Sequence, residues 1–183
     1  MEDRDVIDLL LQDHEEFRSL FEQLEQADPD QREDLFHYTV ARLASHEAAE
    51  EAIVHLTVRD DVPGGDSIAE AVLAEEADAE QLLAEMVEMD QTSQEFDDAL
   101  SRLRDEVLSH ADHEEREEFP ALRAHVDEDT RREMGRTFQA LRDVGPTRPH
   151  PRTPQTPEVR AAMGPLVGAF DRARDAVRKA MSD

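Results

Sequence analysis

The sequence predicts an all-α fold, an up-and-down antiparallel four-helix bundle with extra C-terminal helices, and three observations carry that prediction. Apolar residues recur with a 3.6-residue period in four long stretches, each closed by a breaker. Ala, Leu, Glu, Asp and Arg dominate, aromatic residues make up 4%, and 6 Gly and 9 Pro are clustered rather than spread. That is a helical composition. Third, two His-x-x-x-Glu pairs, His46/Glu50 and His110/Glu114, each set an imidazole and a carboxylate one turn apart on a single helix face.

The first helix is expected from about Arg4 to Ala27, with the stripe Ile7, Leu10, Leu11, Phe17, Leu20, Phe21 and Leu24. Asp28-Pro29-Asp30-Gln31 breaks and restarts the chain: Pro29 suits a first helical turn, Asp28 can cap, and Gln31 completes a capping box. The second helix carries Leu35, Phe36, Val40, Leu43, Ile53 and Val54 and ends before Pro63-Gly64-Gly65. Ser67-x-x-Glu70 reads as the capping box of a third helix with Val72, Leu73, Leu82, Leu83 and Met86 inside. Thr92-x-x-Glu95 reads as the cap of a fourth, which runs through Phe96, Leu100, Leu103, Val107, Phe119 and Leu122 and is bent or ended by Pro120. A short helix is expected from about Asp129 to Val144. Residues 1–145 thus form the bundle unit, 146–157 a stiff Pro-rich linker, and 158–183 an amphipathic helix. The apolar face of that last helix would dock on the bundle or, in a homodimer, on a second copy.

Acidic side chains number 46 against 20 basic ones, a formal net charge of −26, and Lys179 is the only lysine. Such a field repels nucleic acid and anionic membrane surfaces and draws cations. The absence of Cys excludes disulfides, thiolate ligands and thiol catalysis. No apolar run reaches membrane-span length and the N-terminus is acidic where a signal peptide would be basic, so a soluble, cytoplasmic protein is expected.

The midpoints of the four long helices fall near residues 15, 45, 77 and 110. His14, His46 and His110 sit at three of them, and in an up-and-down bundle such midpoints meet at one depth. Each histidine interrupts an apolar stripe: Leu10-His14-Phe17, Leu43-His46-Glu50-Ile53 and Val107-His110-Glu114. On the third helix Glu76 is the inward residue at matching depth, flanked by Leu73, Ala79 and Leu83, with Glu75 and Glu80 as neighbours competing for the position. Buried carboxylates and imidazoles are costly unless paired, protonated or bound to metal, so a dinuclear metal centre held by His14, His46, Glu50, Glu76, His110 and Glu114 is the expectation. Glu47 could reach the second ion, although a solvated surface position is the default for it. His113 lies beside the second motif. His37, His55, His125 and His150 read as solvent-facing or interfacial, and Tyr38 as a packing residue.

These residues resemble the hemerythrin-like family of cation-binding proteins, whose pattern is His, His-x-x-x-Glu, His, His-x-x-x-Glu. The likeness spans roughly residues 4 to 145: "LLQDHEEF" supplies His14, "HEAAEEAI" supplies His46 and Glu50, and "HADHEEREEFP" supplies His110, Glu114 and the Phe119-Pro120 that follows the motif in the family. The "TRPHP" segment and the last helix are similar to the tail of bacterial members. The resemblance implies a four-helix bundle around two non-haem iron ions, with manganese as the other candidate, bridged by oxo or hydroxo, that bind or react with dioxygen or peroxide. The chain departs from the pattern at Glu76, where the family has His, and at His55, where many members have Tyr or Phe. A carboxylate for an imidazole adds negative charge, which favours ferric iron and harder metals over the stable diferrous form that reversible oxygen carriage needs. Dioxygen or peroxide chemistry, sensing or iron handling is therefore the expected function. Peroxidase- or catalase-like turnover at the same site, and a helical interaction module with a structural or degenerate metal site, are the alternatives.

Overall fold

The computed structural model describes residues 4–144, which are helical with no strand among them. The expected linker 146–157 and last helix 158–183 lie outside the described residues. Helix α1 spans Val6–Gln26 and opens on Asp5, whose Oδ1 accepts from the Ile7 amide at 3.0 Å. Helix α2 spans Pro29–Glu50, with Pro29 in the first turn and Asp28 at the N-cap position, although the Asp28 side chain makes no capping hydrogen bond. A π-helical turn, Glu51–His55, carries α2 without a break into α3, Leu56–Asp61. Helix α4 spans Gly65–Met86 and α5 spans Gln94–His113. A second π turn, Glu114–Glu118, joins α5 to α6, Phe119–His125, and α7 follows over Glu128–Val144.

The four rods α1, α2–α3, α4 and α5–α6 form the bundle, with neighbours packed in the order α1·α2, α3·α4, α4·α5 and α5·α1, while α7 lies against α1 and α2. Three further local expectations are corrected. The third helix begins at Gly65 after Gly64 at φ 78°, so glycine geometry rather than the Ser67/Glu70 box starts it. The fourth is capped by Ser93, whose Oγ accepts from the Phe96 amide at 3.1 Å, and not by Thr92. Pro120 neither ends nor interrupts the fourth rod: it occupies the first turn of α6 directly after the π turn, where its missing N–H is tolerated.

The apolar core comes in two parts. One cluster joins Phe17, Leu20, Phe21, Leu24, Phe36, Val40, Leu43, Phe96, Leu100, Leu103 and Val107 with α4 residues Leu82, Leu83 and Met86. The other joins Ile7, Leu9, Leu10, Ala49, Ile53, Val54, Val58, Phe119 and Leu122 with Met134, Phe138 and Leu141 of α7. The ionisable residues lie where each helix passes from one cluster to the other: His14 between Leu10 and Phe17, His46 between Leu43 and Ala49, and His110 between Val107 and Phe119. Helix α7 therefore closes one half of the core. Arg131 fixes its start, with Nε donating to Asp5 Oδ2 at 2.8 Å and Nη1 to the Val126 carbonyl at 2.5 Å.

The α3–α4 corner is tight enough to exclude a side chain. A Cβ at position 65 would stand 1.8 Å from the Val58 carbonyl oxygen, so Gly65 permits the backbones of α3 and α4 to meet. Gly65→Ala is expected to lower the unfolding free energy by roughly 1–3 kcal/mol, the usual cost of overpacking, read as a lower urea midpoint with an unchanged slope. An unchanged midpoint would contradict the packing.

Candidate metal centre

Between the two apolar clusters lie His14, His46, Glu50, His55, His110, Glu114 and Glu118, each less than 5% exposed. Glu76, its side chain 10% exposed, and Glu47, at 28%, complete the layer. All six residues expected from the sequence are thus brought to one level of the bundle. The nine residues of the layer fall into three groups, the donor atoms within each lying within 4.8 Å of one another: His14, His46 and Glu50; Glu47, Glu76 and His110; and His55, Glu114 and Glu118.

The helical spacing acts as expected within each motif. His46 Nε2 stands 2.9 Å from Glu50 Oε2, and His110 Nε2 stands 3.2 Å from Glu114 Oε1. Glu114 spans the centre, since its other oxygen lies 3.3 Å from His14 Nε2. On α4 it is Glu76 that faces inward, its Oε1 3.9 Å from His110 Nε2. Glu75 turns outward to meet His110 Nδ1 at 3.3 Å and His113 Nδ1 at 3.0 Å.

Three residues outside the expected set, His55, Glu118 and Asp13, are also present, and so is Glu47, for which the sequence left both the second ion and solvent open. His55, expected at the surface, is 2% exposed, and the π turn is the reason. At about 100° per residue, an α-helix would turn His55 about 140° away from Glu50; a turn closed by i→i+5 hydrogen bonds brings it most of the way back. The second π turn likewise offsets the drift along His110-x-x-x-Glu114-x-x-x-Glu118, so Glu118 stays inside. That repeated spacing of four is a signal for Glu118; His55 is marked only as a departure from the family pattern, which does not say that it faces inward. Asp13, beside His14 in sequence, is 1% exposed and reaches His46 and not its neighbour. Glu47 adjoins Glu76 and His110 instead of standing in solvent. His37 and His125 are exposed as expected.

Around this layer a second set of acids holds the imidazoles. Asp13 Oδ2 accepts from His46 Nδ1 at 3.2 Å, and Glu115 Oε1 accepts from His14 Nδ1 at 2.9 Å. Together with Glu75 on His110, these contacts leave each Nε2 aimed at the centre, the arrangement that orients metal-ligating histidines in proteins. Arginines anchor the acids in turn: Arg42 and Arg142 donate to Asp13 Oδ1 at 3.3 and 2.5 Å, and Arg18 donates to Glu115 at 3.0 Å. Phe17 meets the His46 ring edge-on at 5.0 Å, Phe138 does so at 5.9 Å, and Phe119 stacks on His14 at 5.6 Å.

At the centre itself eight polar atoms meet only charged neighbours, without well-directed hydrogen bonds. His14 Nε2, His110 Nε2, both oxygens of Glu50, both of Glu114, and one each of Glu47 and Glu118 are buried without a well-directed hydrogen bond. Atoms so placed cost about 1–3 kcal/mol each unless something satisfies them. The donors are imidazole and carboxylate only, a set suited to iron, manganese or zinc, and a cation among them fits. The protonation balance shows the same demand. Burial pushes the His46, His55 and His110 imidazoles down, but the carboxylates around them outweigh it and raise all three well above the ordinary value. Burial also pushes Glu114 up, yet His110 and His14 hold it well below the carboxylate range. Glu118, buried beside Glu114 and Glu50, is pushed up to about 7 despite His55.

Asp13 carries the testable acid sensitivity of this scaffold. Burial would raise its carboxyl, but the hydrogen bond and charge of His46, then Arg142, hold it at about 2 against an ordinary 3.8. A depressed carboxylate stabilises the fold above its unfolded value, and that stability disappears as pH falls through the folded value. In the metal-free protein, Asp13→Asn is therefore expected to remove roughly 2–3 kcal/mol of stability at neutral pH and to flatten the loss of stability between pH 3.8 and about 2. A variant whose stability follows the wild-type curve through that window would contradict the assignment.

Comparison with known proteins places this centre in a family. The hemerythrin HHE cation-binding domain model matches residues 5–122, a span that includes both His-x-x-x-Glu motifs, His14, His55, Glu76 and Glu118. The chain is 26% identical to an uncharacterized hemerythrin-like protein of Schizosaccharomyces pombe over 95% of its own length and 87% of the relative's. It is also 26% identical to a DNA nickase of Nostoc over 77% of its own length, but spans only 40% of that protein. No solved structure matches it. With the matched span, the helical bundle and the inward His and Glu residues agreeing, the chain belongs to the hemerythrin HHE cation-binding domain family.

Proposed function

We propose that the polar layer is a dinuclear centre for two iron ions, with manganese the alternative, and that the protein acts in dioxygen or peroxide chemistry or iron handling. In this reading His14, His46 and Glu50 hold one ion, Glu76 and His110 hold the other, and Glu114 serves both. The observation that carries it is the convergence, at one level of an otherwise apolar bundle, of buried imidazole nitrogens and carboxylate oxygens that lack well-directed hydrogen bonds. Iron bound there would supply one-electron chemistry with dioxygen or peroxide.

The chain's own contribution is to hold the donors fixed and dry. Asp13, Glu115 and Glu75 set the three imidazoles, the phenylalanine rings of α1, α6 and α7 pack against two of them, and the two apolar clusters seal the layer from either side. Glu76 gives the second position a carboxylate, which favours the oxidised metal over reversible oxygen carriage. The Nostoc relative's name brings no nucleic-acid role to this reading, because a net charge of −26 opposes approach to a polyanion.

Elemental analysis after expression in iron-replete medium tests the reading. Two ions per chain are expected, with both lost in Glu114→Ala and one or both lost in His46→Ala and His110→Ala; a metal-free wild type would end it. Steady turnover of hydrogen peroxide, abolished in Glu114→Ala, would distinguish an enzyme from a stoichiometric binder. Because imidazoles with raised proton affinity must give up protons to a cation, metal affinity should fall as pH falls from 8 to 6, with proton release seen in calorimetry across buffers of different ionisation enthalpy. Binding without proton exchange would contradict the protonation balance.

A further inference from the structure

We propose that His55 is a fourth imidazole ligand, completing the second ion's coordination from α2–α3, with Glu118 as its positioning residue. The assignment rests on the two-ion reading above. Its first support is a shared pattern. His14, His46 and His110 each place a carboxylate on Nδ1, from Glu115, Asp13 and Glu75, and turn Nε2 to the centre. His55 does the same: Glu118 Oε1 accepts from its Nδ1 at 2.8 Å, and its Nε2 faces Glu76 Oε1 at 2.5 Å and Glu114 Oε1 at 3.9 Å. An imidazole with no part in the centre has no need of that orientation.

The second support is the set of atoms His55 joins. His110 Nε2 lies 3.2 Å from Glu114 Oε1 and 3.9 Å from both Glu76 Oε1 and Glu47 Oε2. His55 Nε2 faces two of the same three acids from the opposite helix. Without it the first position has two imidazoles, His14 and His46, and the second has His110 alone. With it each has two. The third support is the backbone. An α-helical continuation after Glu50 would carry His55 away from the layer, and the chain instead departs from α-helix over Glu51–His55, the five residues that bring it back. Glu118 is delivered by the matching turn Glu114–Glu118 in the fourth rod, so His55 and Glu118 both reach the layer on a π turn.

Anaerobic titration of the full-length apoprotein with Co(II), followed by proton NMR, tests the assignment without reference to activity. Imidazoles bound to high-spin Co(II) give strongly shifted, exchangeable Nδ1–H signals, one for each ligand histidine. Two Co(II) per chain and four such signals are expected for the wild type. His55→Gln should keep the first affinity, weaken the second at least tenfold and show three signals. In Glu118→Gln four signals should remain, with one exchanging faster than in the wild type. Two ions with only three wild-type signals would overturn the assignment while leaving the two-ion reading standing. So would wild-type second-ion affinity in His55→Gln, or a third Co(II) in the wild type that only His55→Gln loses. No Co(II) bound by the wild type would remove both readings. Should His55→Gln fail to fold, as judged by helical circular dichroism, the wild-type signal count decides alone.

Discussion

A layer of buried imidazoles and carboxylates across the middle of an apolar bundle is the constraint on which the rest of this structure depends. Water cannot reach most of these groups, and their mutual contacts leave eight polar atoms without a well-directed hydrogen bond. Burying such groups is expensive. A sequence that retained them for stability alone would gain by exchanging them for leucine. The surrounding architecture is accordingly arranged on both sides of the layer, and the hydrophobic core is divided in two so that the layer can exist.

That division explains the role of α7, which a minimal four-helix bundle would not need. Its Met134, Phe138 and Leu141 complete the cluster formed by the start of α1 and the end of the second and fourth rods. Its Arg142 reaches Asp13, and Asp13 holds His46. One helix therefore seals half of the core and also fixes an imidazole in the polar layer. The chain of contacts from arginine to acid to histidine recurs at Arg18, Glu115 and His14. In this acid-rich chain, several of the few cations are spent on orienting the carboxylates that orient histidines.

Much of this was legible in the sequence because an α-helix is a regular object. The 3.6-residue stripes placed the bundle rods, and matching midpoints placed His14, His46, His110 and Glu76 at one depth. Helical spacing then set Glu50 and Glu114 beside their histidines. Reading failed where the backbone left that regularity. His55 reads from the sequence as solvent-facing or interfacial, yet the π turn over Glu51–His55 brings it into the layer. No residue type in Glu51–His55 announces such a turn. Asp13 carries no signal in the sequence, because its partners His46 and Arg142 are on α2 and α7, far away along the chain. At the helix starts, Ser67 and Thr92 matched the capping pattern, but a left-handed Gly64 and the adjacent Ser93 took those roles, an ambiguity of a few residues that only tertiary packing resolves.

The central claim is that cations make the polar layer tolerable, and anomalous diffraction from crystals of the protein grown with iron tests it most directly. Two peaks at the iron edge are expected inside the bundle, flanking Glu114, one beside His14, His46 and Glu50 and the other beside Glu76 and His110. Density for an intact layer with no anomalous peak between its side chains, or iron found only on the acidic surface, would contradict it.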